Sequence, residues 1–350
     1  MARVVGQAHA MEQIVPYVQM HRAGLAPEGR PAGVFLLLGP TGTGKTRTVE
    51  ALADVLHGSE KNVLRIDCGE FQMEHEVAKL IGAPPGYLGH RETTPMLTQS
   101  KLTAAASERC DLSLVLFDEI EKAAPSMTRL LLGVLDKAAL RLGDNTTVNF
   151  ERTLIFLTSN IGARELRKEF APDFGFESML AQSMTPAPSA SGSTKLDRVG
   201  AGAVKRRFPP EFVNRIDAVI TYRPLDSDAL TEILDHQLKA LDKHILKRLG
   251  PGAFKVKVDA AARAFLLEKG TSSEYGAREL KRTILRSLTQ PIATLVAEGH
   301  IEAGCTVRVA FKPAKSAAKT SNVNERTGNE REASERPKSE KLTFTIELAP

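Results

Sequence analysis

Apolar and β-branched runs punctuate the first two-thirds of the chain at Val34–Leu38, Val63–Asp67, Leu114–Phe117, Leu154–Leu157 and Ala218–Thr221. Short apolar runs of this kind read as strands with little polar surface to offer water. Longer stretches with helical spacing lie between them, among them Lys45 to His57. Strands that alternate with helices predict a parallel sheet covered by helices on both faces, an α/β class. After Arg223-Pro224 the pattern changes. Ala229–Leu249, Ala260–Lys269 and Ala277–Glu298 show amphipathic helical spacing, and Phe254–Val258 and Thr306–Phe311 read as strands. The chain is therefore expected to hold a large domain over residues 1–224 and a smaller one over 225–350. Met184–Gly202, rich in Ser, Ala, Pro and Gly, and Lys312–Lys341, polar and charged, show no periodicity. Both are expected to be mobile, as insertions near 171–205 and 312–341. Leu342–Leu348 alternates like a strand, and pairing with Thr306–Phe311 would turn the polar segment into a long hairpin insertion.

Composition narrows the picture modestly. With 350 residues the chain can bury a sizeable core. A formal charge of +5, spread along the chain without a dense Lys/Arg block, does not argue for nucleic acid. Cys68, Cys110 and Cys305 form no CxxC pair, so neither disulfides nor a zinc site is expected, which fits a reducing cytoplasm. No apolar run approaches the ~20 residues of a membrane span, and the N-terminus lacks a signal-peptide core. A cytoplasmic protein is expected.

The chemistry begins at Gly39-Pro40-Thr41-Gly42-Thr43-Gly44-Lys45-Thr46. This stretch follows an apolar run and opens a helical one, the strand–loop–helix context of a phosphate-binding loop. Glycines let backbone N–H groups turn inward around phosphates, and the helix presents its positive end to them. Lys45 is placed to reach the β- and γ-phosphates of ATP, and the Thr46 hydroxyl to bind Mg²⁺.

Leu114-Val115-Leu116-Phe117-Asp118-Glu119 ends in two carboxylates, where a buried strand meets the sheet edge that binds ligands in open α/β folds. Asp118 is expected to hold Mg²⁺ through water, and Glu119 to orient and activate the attacking water. Leu154-Ile155-Phe156-Leu157-Thr158-Ser159-Asn160 closes another strand, and Asn160 is a candidate to position that water beside the acids. An Asn in such a place also serves as a turn residue or helix cap.

With these motifs in order, the chain resembles AAA+ ATPases, and within them the C-terminal ATPase module of the Clp unfoldases, from Val4 to about Arg308. Val5-Gly6-Gln7 and His21-Arg22-Ala23-Gly24-Leu25 are similar to the segment that lines the adenine pocket. Arg65–Phe71 and Gly82-Ala83-Pro84-Pro85-Gly86-Tyr87-Leu88-Gly89 resemble the pore-loop region, and Phe117–Ala123 the second acidic motif. Pro210-Glu211-Phe212-Val213-Asn214-Arg215-Ile216-Asp217 carries the family's arginine finger at Arg215. Tyr275-Gly276-Ala277-Arg278-Glu279-Leu280 carries its second sensor at Arg278.

The resemblance implies a P-loop AAA+ large domain followed by a small, mainly helical α+β lid domain. It also implies an ATP-hydrolysing homo-hexameric ring that threads unfolded or tagged polypeptides through a central pore. Gly86, Tyr87, Leu88 and Gly89 would grip the polypeptide, with Tyr87 as the aromatic clamp. Arg215 would reach a neighbouring subunit's phosphates and Arg278 the same phosphates from the small domain. A second loop, Ala138–Thr147, would face the pore, although it departs from the Gly- and Asp-rich form of the family. The stretch between Gly89 and Leu112 is a few residues longer than in the family. The substrate-recruiting N-domain, first ATPase ring and middle coiled coil are not in this sequence. Phe174-Gly175-Phe176 lies where relatives dock a ClpP-like peptidase, with Phe in place of the usual aliphatic residue. Alternatives are an unfoldase subunit that delivers substrates to such a peptidase, or a remodeller dedicated to one protein or nucleic-acid complex.

Overall fold

The computed structural model describes residues 4–82, 94–163, 191–271, 276–312 and 341–347. The chain divides into two compact units, the first built on residues up to 229 and the second on residues 230–271 and 277 onward. The first opens with α1 (Ala8–Arg22), β1 (Gly33–Leu38), α2 (Lys45–His57), β2 (Leu64–Asp67), α3 (Ala78–Ile81) and α4 (Gln99–Ala105). It continues with β3 (Ser113–Asp118), α5 (Pro125–Lys137), β4 (Ala139–Arg141), β5 (Thr147–Asn149) and β6 (Thr153–Ser159). It closes with α6 (Ser191–Arg207), α7 (Pro210–Val213) and β7 (Ala218–Thr221).

Five strands form a parallel sheet in the order β2-β3-β6-β1-β7, as the apolar runs predict. Every residue of β1 and β6 is buried, because helices cover both faces. Alternation along each strand sorts side chains between two cores. Val34, Leu36, Leu38, Val115, Phe117, Ile155 and Leu157 face one core with Met127, Leu131 and Val134 of α5. Phe35, Leu37, Leu114, Leu116, Leu154 and Phe156 face the other with Ile14 of α1 and Val49 and Leu52 of α2. Phe35 stacks on Phe156 with ring centroids 5.2 Å apart, across the central strand pair.

Residues 191–202, part of the stretch Met184–Gly202 that shows no periodicity in the sequence, form most of α6. The small residues that hide the helical period are what lets this helix lie against the sheet. A Cβ on Gly200 would meet Thr221 Oγ1 at 3.0 Å and Leu38 Cδ1 at 3.4 Å, while Ala203 and Val204 are buried.

The second unit contains α8 (Ser227–Leu249, whose first residues belong to the first unit), β8 (Lys255–Val258), α9 (Ala260–Gly270), α10 (Ala277–Ile284), α11 (Gln290–Ala297), β9 (Thr306–Lys312) and β10 (Lys341–Glu347). The small sheet runs β10-β9-β8, with β9 parallel to β8 and antiparallel to β10. The expected pairing of the last strand with Thr306–Phe311 is thus found. Phe265 of α9 stacks on Phe311 of β9 at 4.7 Å. The single helix expected over Ala277–Glu298 is interrupted by a π-helical turn at Leu285–Thr289. Pro291 lies two residues beyond, with no N–H for the helical ladder and a ring that presses on the preceding turn, which is where the helix widens.

Among the described residues, no helix is long and apolar enough to cross a membrane.

Candidate functional site

Three loops leave the carboxyl ends of the adjacent strands β3, β6 and β1 and meet at one sheet edge. From β1 the chain enters Gly39 at φ 146°, where a Cβ would lie 2.8 Å from Tyr222 O. Gly42 and Gly44 hold φ 78° and 102°, values that side-chain-bearing residues rarely adopt. A Cβ on Gly44 would meet no atom within 4 Å, so the loop opens there onto free space. Gly44 leads straight into α2, whose unpaired N–H groups face the same space. An inward-turned loop, an open concavity and a helix N-terminus together fit a phosphate chain.

Lys45 is 8% exposed, and its ammonium stays within the loop. It donates to Gly39 O at 2.6 Å, Pro40 O at 2.9 Å and Asn160 Oδ1 at 2.9 Å. Asn160 Nδ2 then donates to Glu119 Oε1 at 3.3 Å, while the other oxygen, Oε2, lies 2.5 Å from Lys122 Nζ. Phosphate loop, Asn160 and Glu119 therefore form one hydrogen-bonded chain, bringing together groups separated by up to 115 residues. Glu119 sits at φ 57°, a left-handed backbone that turns the chain sharply out of β3. Its N–H donates to Thr158 Oγ1 at 3.0 Å, and the Thr158 hydroxyl donates to Asp118 Oδ1. Asp118 Oδ2 is paired with Arg65 of β2.

Backbone and buried groups behind this front support it. Asn160 N donates to Glu121 Oε1 at 3.0 Å. The Lys122 ammonium is held in its charged form chiefly by the hydrogen bond to Glu119. Burial first, then the negative charge of Asp67, Asp118, Glu121 and Glu119, pushes the Cys68 thiol far up. Cys68 is therefore a packing residue rather than a nucleophile. Tyr222, fully buried, donates its hydroxyl to Thr48 Oγ1 at 2.8 Å and so pins α2 to the end of β7. Thr46 stands half-buried in the first turn of α2. A hydroxyl at Thr46 and a carboxylate at Asp118 are hard oxygen donors, a set that suits Mg²⁺.

Val5 is half-buried, and two residues later Gln7 is fully buried. Gln7 Nε2 donates to Thr43 O at 3.3 Å and to Arg223 O at 2.8 Å, while Oε1 accepts from Arg223 N at 3.3 Å. One side chain thus ties the phosphate loop to the strand exit at β7.

The other half of the expected adenine segment lies elsewhere. His21 Nε2 is 2.9 Å from Asp111 Oδ1, and Asp111 Oδ2 is 3.3 Å from Arg152 Nη1. Asp111 and Arg152 precede β3 and β6, so His21–Leu25 stand at the amino edge of the sheet, opposite the phosphate loop. The reason is the length of α1. Its 15 residues, at about 1.5 Å each, carry the chain ~22 Å from Gln7 to the far edge.

Arg215 bonds to none of the groups around Lys45 and Glu119. It is held on its own unit, with Nη1 donating to Glu211 O at 2.5 Å and Nε 3.4 Å from Asp136 Oδ1. Arg278 is exposed in the first turn of α10 in the second unit. Gly86, Tyr87, Leu88 and Gly89, and likewise Phe174-Gly175-Phe176, lie outside the described residues. Ala138–Thr147 forms most of the β4–β5 hairpin. Sequence reasoning missed Tyr222, Arg65, Thr158 and Lys122 as partners of the site. The last three lie in or beside motifs already singled out, whereas nothing local marks Tyr222.

Residues 30–219 match the family model of an AAA domain (Cdc48 subfamily), and residues 225–309 that of the C-terminal, D2-small domain of ClpB protein. The chain is 39% identical over 307 residues to the chaperone protein ClpB of Rhodopseudomonas palustris, covering 88% of this chain and 32% of that protein. It is 39% identical over 311 residues to the ClpB of Meiothermus ruber, covering 89% and 33%. It thus spans about a third of the length of these curated relatives. Among solved structures it is similar to Hsp104 in the S. cerevisiae Hsp104:casein complex, extended conformation, at a TM-score of 0.72 and 30% identity, covering 88% of this chain and 48% of that one. A closed-state Hsp104 with ATPyS and FITC casein matches at a TM-score of 0.70 and 29% identity, covering 87% and 48%.

Proposed function

The chain belongs to the AAA family of ATPases, with a ClpB-type small domain behind its AAA domain, and from that premise we propose that it hydrolyses ATP to thread and unfold polypeptides as a homo-hexameric ring. The observation that carries hydrolysis is the chain from Lys45 through Asn160 to Glu119, at 2.9 and 3.3 Å. It joins the phosphate-holding cation to a carboxylate that can take a proton from water. A loop that only bound nucleotide would need no acid in this place.

In this reading Gly39 to Thr46 hold the phosphates of ATP, with Lys45 against the β and γ groups. Thr46 and, through water, Asp118 hold Mg²⁺, which when bound neutralises charge on the phosphates. Glu119 accepts the proton of the attacking water, and Asn160 orients that water beside the γ-phosphate. Val5 borders the adenine. Arg215 of one subunit and Arg278 stabilise the charge that develops on the transferred phosphoryl group. The curated relatives are named as chaperones and the Hsp104 structures contain casein, which supports a polypeptide as the substrate. Tyr87, flanked by Gly86 and by Leu88-Gly89, is the residue we assign to gripping it.

The test is capture. A Glu119→Gln variant should bind ATP, hydrolyse it more slowly by roughly a hundredfold or more, and retain polypeptides from its own cell extract. Lys45→Ala should capture none, and Tyr87→Ala should lose the polypeptides while still hydrolysing ATP. A peptidase that co-purifies would mark the chain as a delivery subunit acting through Phe174-Gly175-Phe176. Capture of one protein complex or of nucleic acid alone would overturn the general unfoldase.

A further inference from the structure

Asp136, in the last turn of α5, is the only described acidic side chain that meets the Arg215 guanidinium. Its Oδ1 lies 3.4 Å from Nε, and its Oδ2 accepts from Nη2 at 3.4 Å. The third edge of the guanidinium donates to Glu211 O at 2.5 Å. Nε is buried and has no hydrogen-bond partner of good geometry, so the carboxylate is what compensates it. Asp136 thus holds the guanidinium through one long hydrogen bond at Nη2 and through charge at Nε.

Asp136 also belongs to a hydrogen-bonded, core-packed unit. Beyond it, Ala138 takes φ 48° and donates to Val134 O, and the chain turns directly into the β4–β5 hairpin. Phe150 N returns to Ala138 O at 2.7 Å, closing the base of that hairpin. Leu140, Leu142, Val148 and Phe150 are buried in the same core as Leu131, Val134 and Leu135 of α5. At the tip, Gly143 N donates to Ile81 O at 2.7 Å, two residues before the 83–93 segment that contains Tyr87.

We propose that Asp136 is the positioning residue for Arg215 and that it ties this arginine to the α5–hairpin body, which is bonded in turn to the foot of the substrate loop. This rests on the reading of Arg215 as an arginine that acts on a neighbour's phosphates. Engagement of the guanidinium by those phosphates competes with Asp136 for the same N–H groups. Each hydrolytic cycle in one subunit thereby changes the restraint on the hairpin of the next. Asp136 itself touches no reacting atom.

The experiment compares the assembled full chain with its Asp136→Asn, Asp136→Glu, Arg215→Ala and Asp136→Asn/Arg215→Ala variants. ATP turnover is measured with and without casein as an unfolded polypeptide. Asp136→Asn should lower kcat about tenfold with the KM for ATP within about twofold of the native value, as expected when a group acting in the transition state is misplaced. The casein-stimulated ratio should fall to about one, and Asp136→Glu should recover part of both. The double variant should be no slower than Arg215→Ala, because the carboxylate acts only through that arginine. An unchanged kcat and ratio in Asp136→Asn, or losses that add in full, would overturn the positioning role and leave the arginine reading standing. A loss accompanied by a raised KM and a lower melting temperature would reduce Asp136 to a fold contact and also overturn it. If Arg215→Ala alone left turnover unchanged, the arginine reading would fall and take this one with it.

Discussion

At Gln7 a single buried amide satisfies Thr43 O, Arg223 O and Arg223 N. Truncation strands the buried Thr43 O, whereas the N and O of exposed Arg223 can turn to water, and one such buried loss costs on the order of 1–3 kcal/mol. Gln7→Ala is accordingly expected to lower stability by about 2 kcal/mol and to weaken ATP binding severalfold, since Thr43 is part of the phosphate loop. Paired thermal melts and nucleotide titrations check both, and a stability loss with unchanged affinity would detach Gln7 from the loop. The loop itself was legible in the sequence, because its glycines answer a local backbone demand that only their residue type meets. Gln7 answers no such local demand, since its partners lie 36 and 216 residues away. Tyr222 is harder still. An aromatic at a strand end says nothing of the Thr48 hydroxyl it meets in α2.

The parallel sheet and the helices after β1 and around β6 follow from unbroken apolar runs, which have no stable alternative to burial. Where size rather than hydrophobicity decides the packing, the pattern misleads. Gly200 and its small neighbours in α6 read as a flexible stretch, yet they permit close approach to β1 and β7. Gly200→Val should therefore destabilise the fold by about 1–3 kcal/mol through overpacking against Thr221 and Leu38, with Gly200→Ala milder. Urea unfolding of the two variants tests this, and a stabilising Gly200→Val, as helix propensity alone would favour, would refute the close packing. The π turn at Leu285–Thr289 belongs to the same class. Spacing showed a helix, and only the structure shows where that helix accommodates Pro291.

For the whole molecule the sharpest question is whether each site is completed by a neighbour. Arg215 is held by Asp136 and Glu211 on its own unit, and no bond links it to Lys45, Asn160 or Glu119. If the arginine acts across a subunit boundary, Arg215→Ala and Glu119→Gln should complement. Each is nearly inactive alone, but mixed rings place an intact Glu119 beside an intact Arg215. ATP turnover of a one-to-one mixture, reassembled from separated subunits, should exceed either parent by about tenfold or more. A mixture no faster than the average of its parents would assign Arg215 to its own site or to none.

Local demands were therefore settled along the chain itself: turns that need glycine, strands that must be buried, acids at strand ends. These specify the phosphate loop, the Asp118-Glu119 pair and the α/β class, because each is set by residue type and near neighbours. Convergence was decided only in three dimensions. Strand order brings β3 and β6 beside β1 and so joins Lys45 to Asn160 and Glu119. The length of α1 carries His21 to the opposite sheet edge while leaving Gln7 at the loop. The partners of Arg215 likewise emerge from the packing of α5 beside α7, since a side chain's partner depends on distances that residue order along a chain does not encode.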